Sequence, residues 1–178
     1  MALPSTIYRV ALHLSDVDRG IYESVQTTVA QHPSETEERL VARLLALAIF
    51  YQPGLTFTKG LSATDEPDFW GKGADDRVQL WGEVGLPDSD RIIKASRHSD
   101  RVALLACGRS LHNWNQQHLP KLEKLANLTI VSLDQAFISI LAAQLQRSIT
   151  WSITITEDIL YLVSDEQTYQ TTILSHIR

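Results

Sequence analysis

The apolar residues of this chain change their period between positions 6 and 51, and that change rules out most single-class folds. Residues 6 to 14, TIYRVALHL, alternate as a strand does, and SDVDRG closes them with turn-forming residues. YESVQTTVAQ at 22 to 31 is β-branched and amide-rich, so pairing with the first strand as a hairpin is expected. HPSETEERLVARLLALAIFY then switches to helix spacing. Leu40, Leu44, Leu47 and Tyr51 fall in one row, and Val41, Leu45 and Ala48 in the row beside it. Ser34 followed by Glu37 reads as a capping box, and Pro53-Gly54 ends the helix.

After the helix the pattern alternates. LTFTKGL at 55 to 61 reads as a short strand and SATDEPDFWGKGADD as a polar connection punctuated by Gly and Pro. VQLWGEVGL is near-continuously apolar, as strands buried on both faces are. Pro87 opens a short helix through SDRIIKASRHS, RVALLACG is another buried strand, SLHNWNQQHLPKLEKLA a helix with a kink or break at Pro120, and LTIVSLD a further strand. Strands alternating with helices from 55 to 134 predict a partly parallel sheet. The tail from 148 to 177 has no helix period. It reads as antiparallel strands with turns near Glu157-Asp158 and Asp165-Glu166.

The expectation is a mixed α/β (α+β) protein: one domain over residues 1–178, with a core at roughly 34–134 that holds a central mixed sheet with flanking helices. The terminal strands, 6–31 and 148–177, would form an additional antiparallel sheet, because neither end buries a face alone.

Composition narrows the function by exclusion. The chain has 178 residues, 44% hydrophobic and 21% charged, which is ordinary for a globular fold. The N-terminus lacks a basic region followed by a long apolar core, and no apolar run approaches the roughly 18 residues of a membrane span. Cys107 is the sole cysteine, so an intramolecular disulfide and a thiolate cluster are excluded. A reducing compartment, the cytoplasm, is expected and no membrane partner. The net charge of −5 argues against coating nucleic acid through bulk basicity, although a nuclease needs only a local basic rim.

There is no GxxxxGK[ST] phosphate loop, no dinucleotide fingerprint, no GxSxG and no HExxH. Cys107 ends an apolar strand, where a lone cysteine serves more often as a small hydrophobe than as a nucleophile. The carboxylates say more. Glu83 interrupts an apolar strand, with Trp81 and Gly85 as its same-face neighbours, and a buried carboxylate is costly unless paired, hydrogen-bonded or metal-bound. A structural pair with Arg77, Arg91 or Lys94 is the plainer alternative. Glu37 projects over the inward stripe of its helix, though a cap role also accounts for it. Asp65 and Glu66 enter from the connection ahead of the Glu83 strand, where turn chemistry competes as an explanation. Lys94 follows Glu83 by eleven residues, within reach if the helix folds back. Acids that hold Mg²⁺, with a lysine to steady developing negative charge, make up a set for metal-assisted phosphodiester hydrolysis.

HPSETEERLVARLLA, FTKGLSATDEPDFW and LWGEVGLPDSDRIIKA closely resemble the YaeQ family of small bacterial proteins, and the match runs from MALPSTIYR to the terminal strands. The resemblance implies a variant of the PD-(D/E)xK nuclease-like superfamily, in which a helix and a mixed sheet carry acidic metal ligands and a lysine. Carried over by residue, it makes Asp65 or Glu66 the acid after the first core strand, Glu83 the strand acid and Glu37 the helix acid, with Mg²⁺ as cofactor and nucleic acid as partner. The superfamily's lysine stands two residues after its acid, where this chain has Gly85. Either Lys94 supplies the charge from the next helix, or the site is degenerate and the protein is a binding or adaptor module of nuclease fold.

Overall fold

The computed structural model describes residues 2–178. Its elements in chain order are β1 (Thr6–Asp16), β2 (Ile21–Gln31), α1 (Glu37–Ile49), β3 (Leu55–Phe57), β4 (Phe69–Lys72), β5 (Val78–Gly85), α2 (Ser89–His98), β6 (Arg101–Ala106), α3 (Leu111–Leu122), β7 (Leu128–Ser132), α4 (Gln135–Ala142), β8 (Ser148–Thr156), β9 (Ile159–Ser164), β10 (Gln167–Thr172) and β11 (Leu174–Ile177), with a 3-10 turn at Gly60–Ser62. The class is mixed α+β, with two mixed sheets. One runs β10-β9-β8-β1-β2 and the other β11-β7-β6-β5-β4-β3. None of these helices is long and apolar enough to cross a membrane.

The first sheet joins the two ends of the chain. β1 and β2 form the antiparallel hairpin expected from their alternation, and β1 also pairs in parallel with β8, Leu12 opposite Trp151. The turns at Glu157-Asp158 and Asp165-Glu166 have positive φ at all four residues, the conformation that two-residue hairpin turns require. The last strand departs from the expectation: β11 leaves this sheet and pairs antiparallel with β7 at the edge of the other.

In the second sheet, β5, β6 and β7 run parallel, and the pairs β3–β4, β4–β5 and β7–β11 are antiparallel. Alternate residues of β6 go to opposite faces, Ala103 and Leu105 into one apolar cluster and Val102, Leu104 and Ala106 into another. The first cluster holds α1, α4 and the inward faces of β1 and β8, whereas the second is covered by residues of α2 and α3. Helix α1 is buried at every position from Leu40 to Ile49, which explains why its two apolar rows widen into a continuous surface: it lies between the sheets.

Three readings of the sequence need correction. The cap of α1 is Thr36, whose hydroxyl accepts from the Arg39 N–H at 3.2 Å, while Ser34 turns back on His32 Nδ1 at 2.6 Å. Glu37 is therefore the first helical residue and not the third. The connection 62–76 hides a strand, β4. Of the kink or break expected at Pro120, the break does not occur: α3 continues through Pro120, which sits in its last turn, so the hydrogen bond it deletes is one of the few near the helix end.

Candidate active site

The carboxyl ends of the parallel strands β5 and β6 open into a cleft of about 530 Å³, lined among others by Arg39, Glu66, Asp68, Glu83, Arg91 and Cys107. Crevices outside the carboxyl ends of parallel strands are the usual ligand sites of such sheets.

Asp68 enters it from the residue before β4 and is 3% exposed. Its backbone N–H donates to the Gly82 carbonyl at 2.9 Å, which fixes the main chain against β5. Its Oδ2 accepts from the Val84 N–H at 2.8 Å and its Oδ1 from Arg39 Nη2 at 2.7 Å. Arg39 reaches back along α1 to Glu35 at 2.9 Å. The Arg39 pKa is raised: burial pulls it down, but Asp68 and Glu35 outweigh that. Behind it, Arg43 is 2% exposed and donates to both oxygens of Glu35 and to the Ala30 carbonyl. Its Nε is buried without a hydrogen-bond partner, 3.9 Å from Asp68 Oδ1. Two arginines and two acids thus form a largely buried chain that runs Arg43, Glu35, Arg39, Asp68, with Arg39 its most exposed member.

Glu83, 4% exposed, comes from the opposite face of β5. Its Oε1 accepts from the Trp81 indole at 2.7 Å and from Arg91 Nε at 2.8 Å. Burial raises its pKa, against the opposing pull of Arg91 and the Trp81 hydrogen bond, and the nearby Asp68 charge adds to the rise. Arg91 spends its other nitrogens on the loop ahead of β4, donating to the carbonyls of Thr64 at 2.6 Å and Glu66 at 2.8 Å. One guanidinium thus fastens α2, β5 and that loop together. Cys107 sits on the wall with its thiol pushed up to about 11 by burial, so it remains a thiol at neutral pH.

The structure sorts the residues singled out in the sequence into three places. Glu66 and Glu83 line the cleft together. Asp65 and Lys94, both exposed, line a neighbouring cavity on the far side of Arg91. Glu37 is exposed at the start of α1. Glu83 takes Arg91 as its partner, one of the alternatives open from the sequence, and not Lys94. The acid that the sequence reading passed over is Asp68. Its signal was Pro67-Asp68 directly before the aromatic pair Phe69-Trp70, which starts β4. Glu35 was hidden too, because it precedes the helix cap.

The fold and cleft therefore define a mixed α+β protein with two buried carboxylates, each held by an arginine, at the end of a parallel strand pair. Comparison with known proteins gives its kinship. The family model described as "YaeQ protein" matches residues 1–173, and the chain belongs to the YaeQ family. It is 40% identical over 163 residues to the uncharacterized protein YaeQ of Salmonella typhi, covering 91% of this chain and 90% of that one. With its Escherichia coli (strain K12) counterpart the identity is 38% over 167 residues, 93% and 92% of the two chains. Its fold is similar to the crystal structures of YaeQ proteins from Pseudomonas syringae (TM-score 0.94, 43% identity, 99% and 98% covered) and Xanthomonas axonopodis pv. citri (TM-score 0.93, 34% identity, 97% and 98% covered).

Proposed function

We propose that the chain is a nuclease-like phosphodiesterase of the PD-(D/E)xK type, acting on nucleic acid with Mg²⁺, and that its acid pair is Asp68 and Glu83. The observation that carries this reading is the convergence of two carboxylates, 3% and 4% exposed, on one cleft. Pro67-Asp68 and Glu83 also match the two acidic parts of the superfamily's signature. Glu37, Asp65 and Lys94 then leave the catalytic set, and Glu66 stays at the rim.

The donor set bears on the metal. No group of three or more His, Cys, Asp or Glu side chains among the described residues is placed to hold a cation. Mg²⁺ does not need one, because it commonly takes one or two carboxylates and completes its octahedron with waters and substrate phosphate. Asp68 and Glu83 fit that requirement as a pair. The ion, when bound, would polarise the phosphate and lower the pKa of the attacking water. The rest falls to the chain: Arg39 and the Val84 N–H aim the Asp68 carboxylate, and Arg91 and the Trp81 indole aim that of Glu83, where Arg91 works against the burial that raises its pKa.

A second reading, a degenerate nuclease fold that binds without cleaving, has its own support. Gly85 occupies the lysine position at φ +108°, and each acid is already balanced by a guanidinium, at 2.7 Å and 2.8 Å. Calorimetry with Mg²⁺ and Mn²⁺, with cleavage assays on DNA and RNA, separates the two. The enzymatic reading expects binding that Asp68→Asn and Glu83→Gln abolish without loss of the folded state. A protein that binds neither ion and leaves every substrate intact fits only the degenerate reading.

A further inference from the structure

The cavity beside the cleft has a volume of about 290 Å³, and its lining includes Thr64, Asp65, Trp81, Arg91, Lys94 and His98. Thr64 and Arg91 line the cleft as well. The Trp81 indole forms part of the cavity wall while its N–H holds Glu83. One indole and one guanidinium thus separate this space from the acid pair.

Its chemistry differs from that of the cleft. Two permanent cations, Arg91 and Lys94, face one acid, Asp65, whereas in the cleft Arg39 and Arg91 face Glu66, Asp68 and Glu83. Lys94 is exposed at the rim, and His98 lies one helical turn beyond it. The His98 Nδ1 is 2.8 Å from the Lys94 carbonyl, an acceptor only, so Nδ1 carries the proton and Nε2 is left to face a ligand. The volume is near the lower limit of about 300 Å³ for small-molecule sites, enough for one planar ring and its substituents. Aromatic wall, cationic rim and hydrogen-bonding edges are the components by which proteins hold an unpaired base and its phosphate.

We infer that this cavity is a nucleobase subsite: one unstacked base of a single strand lies against Trp81, its phosphate rests on Lys94, and the adjoining phosphodiester is thereby led past Arg91 toward Asp68 and Glu83. The subsite deepens the nucleic-acid reading of the cleft and rests on it. It assigns Lys94 to strand binding and not to chemistry.

The test is adenosine 5′-monophosphate titrated into the full chain in EDTA, with adenosine and inorganic phosphate as controls and a short single-stranded oligonucleotide as competitor. Saturable binding of the nucleotide is expected, stronger than of either control and displaced by the oligonucleotide. Lys94→Gln, at an exposed position, should weaken it about tenfold or more and lower the salt slope of oligonucleotide binding by about one. Trp81→Leu should weaken it by roughly tenfold to a hundredfold. If Trp81→Leu fails to fold, His98→Ala at the exposed rim takes its place, with a several-fold loss expected. No saturable nucleotide binding, or affinity and salt slope unchanged in Lys94→Gln, overturns the subsite. Nucleotide binding in EDTA without cleavage in Mg²⁺ retains the subsite and removes the phosphodiesterase. Cleavage in Mg²⁺ with oligonucleotide affinity untouched by Lys94→Gln does the reverse.

Discussion

Gly82→Ala offers the sharpest test of how the two acids are held in place. Gly82 lies opposite Phe69 in the β4–β5 ladder, and each is the chain neighbour of one carboxylate, Glu83 and Asp68. A Cβ at Gly82 would come within 2.1 Å of Phe69 Cε2 and 2.2 Å of its Cζ. Backbone strain is not the issue, since the φ of Gly82 is not positive. The ring has no room to retreat: it is fully buried and stacks on Phe50 with centroids 6.4 Å apart. Overpacking a close-packed core costs about 1–3 kcal/mol, and a clash with several ring atoms belongs at the upper end, ~3 kcal/mol. Phe69→Ala alone should cost about 3–5 kcal/mol through the cavity it opens. The double variant should be no worse than Phe69→Ala, because the new methyl then enters vacated space. The interaction energy is thus about −3 kcal/mol, against a sum of roughly 6–8 kcal/mol if the sites were independent. Urea denaturation of all four proteins, at constant slope, measures it. Additive costs, or a Gly82→Ala variant within about 1 kcal/mol of the parent, would refute the account.

Three further outcomes follow from the buried ionisable groups. Glu83 has a folded pKa above its unfolded value, so its contribution to stability is present in acid and lost as pH rises through the folded pKa. Thermal melts should therefore show the parent gaining on Glu83→Gln as pH falls from neutrality toward 4.5, the ordinary glutamate value, and a shift the other way contradicts burial as the cause. Glu35→Gln strips most of the compensation from a 2% exposed Arg43 and should cost about 3 kcal/mol or more in urea denaturation, partly restored by adding Arg43→Met; a loss below about 1 kcal/mol rejects the buried chain as a structural unit. Cys107, with its thiol near 11, has ~0.1% thiolate at pH 8. Its alkylation by iodoacetamide should be roughly a hundredfold slower than that of a free thiol and should rise about tenfold per pH unit through pH 10.

What the sequence revealed depended on how far each signal extended. Helix α1 was legible because two apolar rows persist through thirteen residues, and β5 and β6 because each is a near-continuous apolar run between turn signals. Helix α4 is eight residues long with Phe137, Ile138, Leu141 and Ala142 buried, too short for a period to establish itself, and only its Asp134 cap marked it. Strand β4 has four residues, two of them Gly71 and Lys72, and is a strand because β3 and β5 flank it. That error hid Asp68: within a polar connection an acid is unremarkable, whereas immediately before a buried strand it requires partners. Glu83 was conspicuous because its setting is local. The arginines that complete the site come from α1 and α2, and sequence spacing carries no information about which of them reaches which acid.

The parallel pairing of β1 with β8 affects how the chain comes into being. Leu12 meets Trp151, and Val10 meets Ile149, across about 139 positions, so one of the most central strands of the first sheet is made early and partnered late. During synthesis α1 can follow at once onto Val10, Leu12 and Leu14, but the edge of β1 that pairs with β8 stays open until nearly the whole chain has followed. Loop closure over such a separation is slow, and exposed strand edges are where nascent chains aggregate. The N-terminal hairpin thus waits with an open strand edge, and a truncation that removes β8 should leave the protein prone to aggregation even where the cleft is intact.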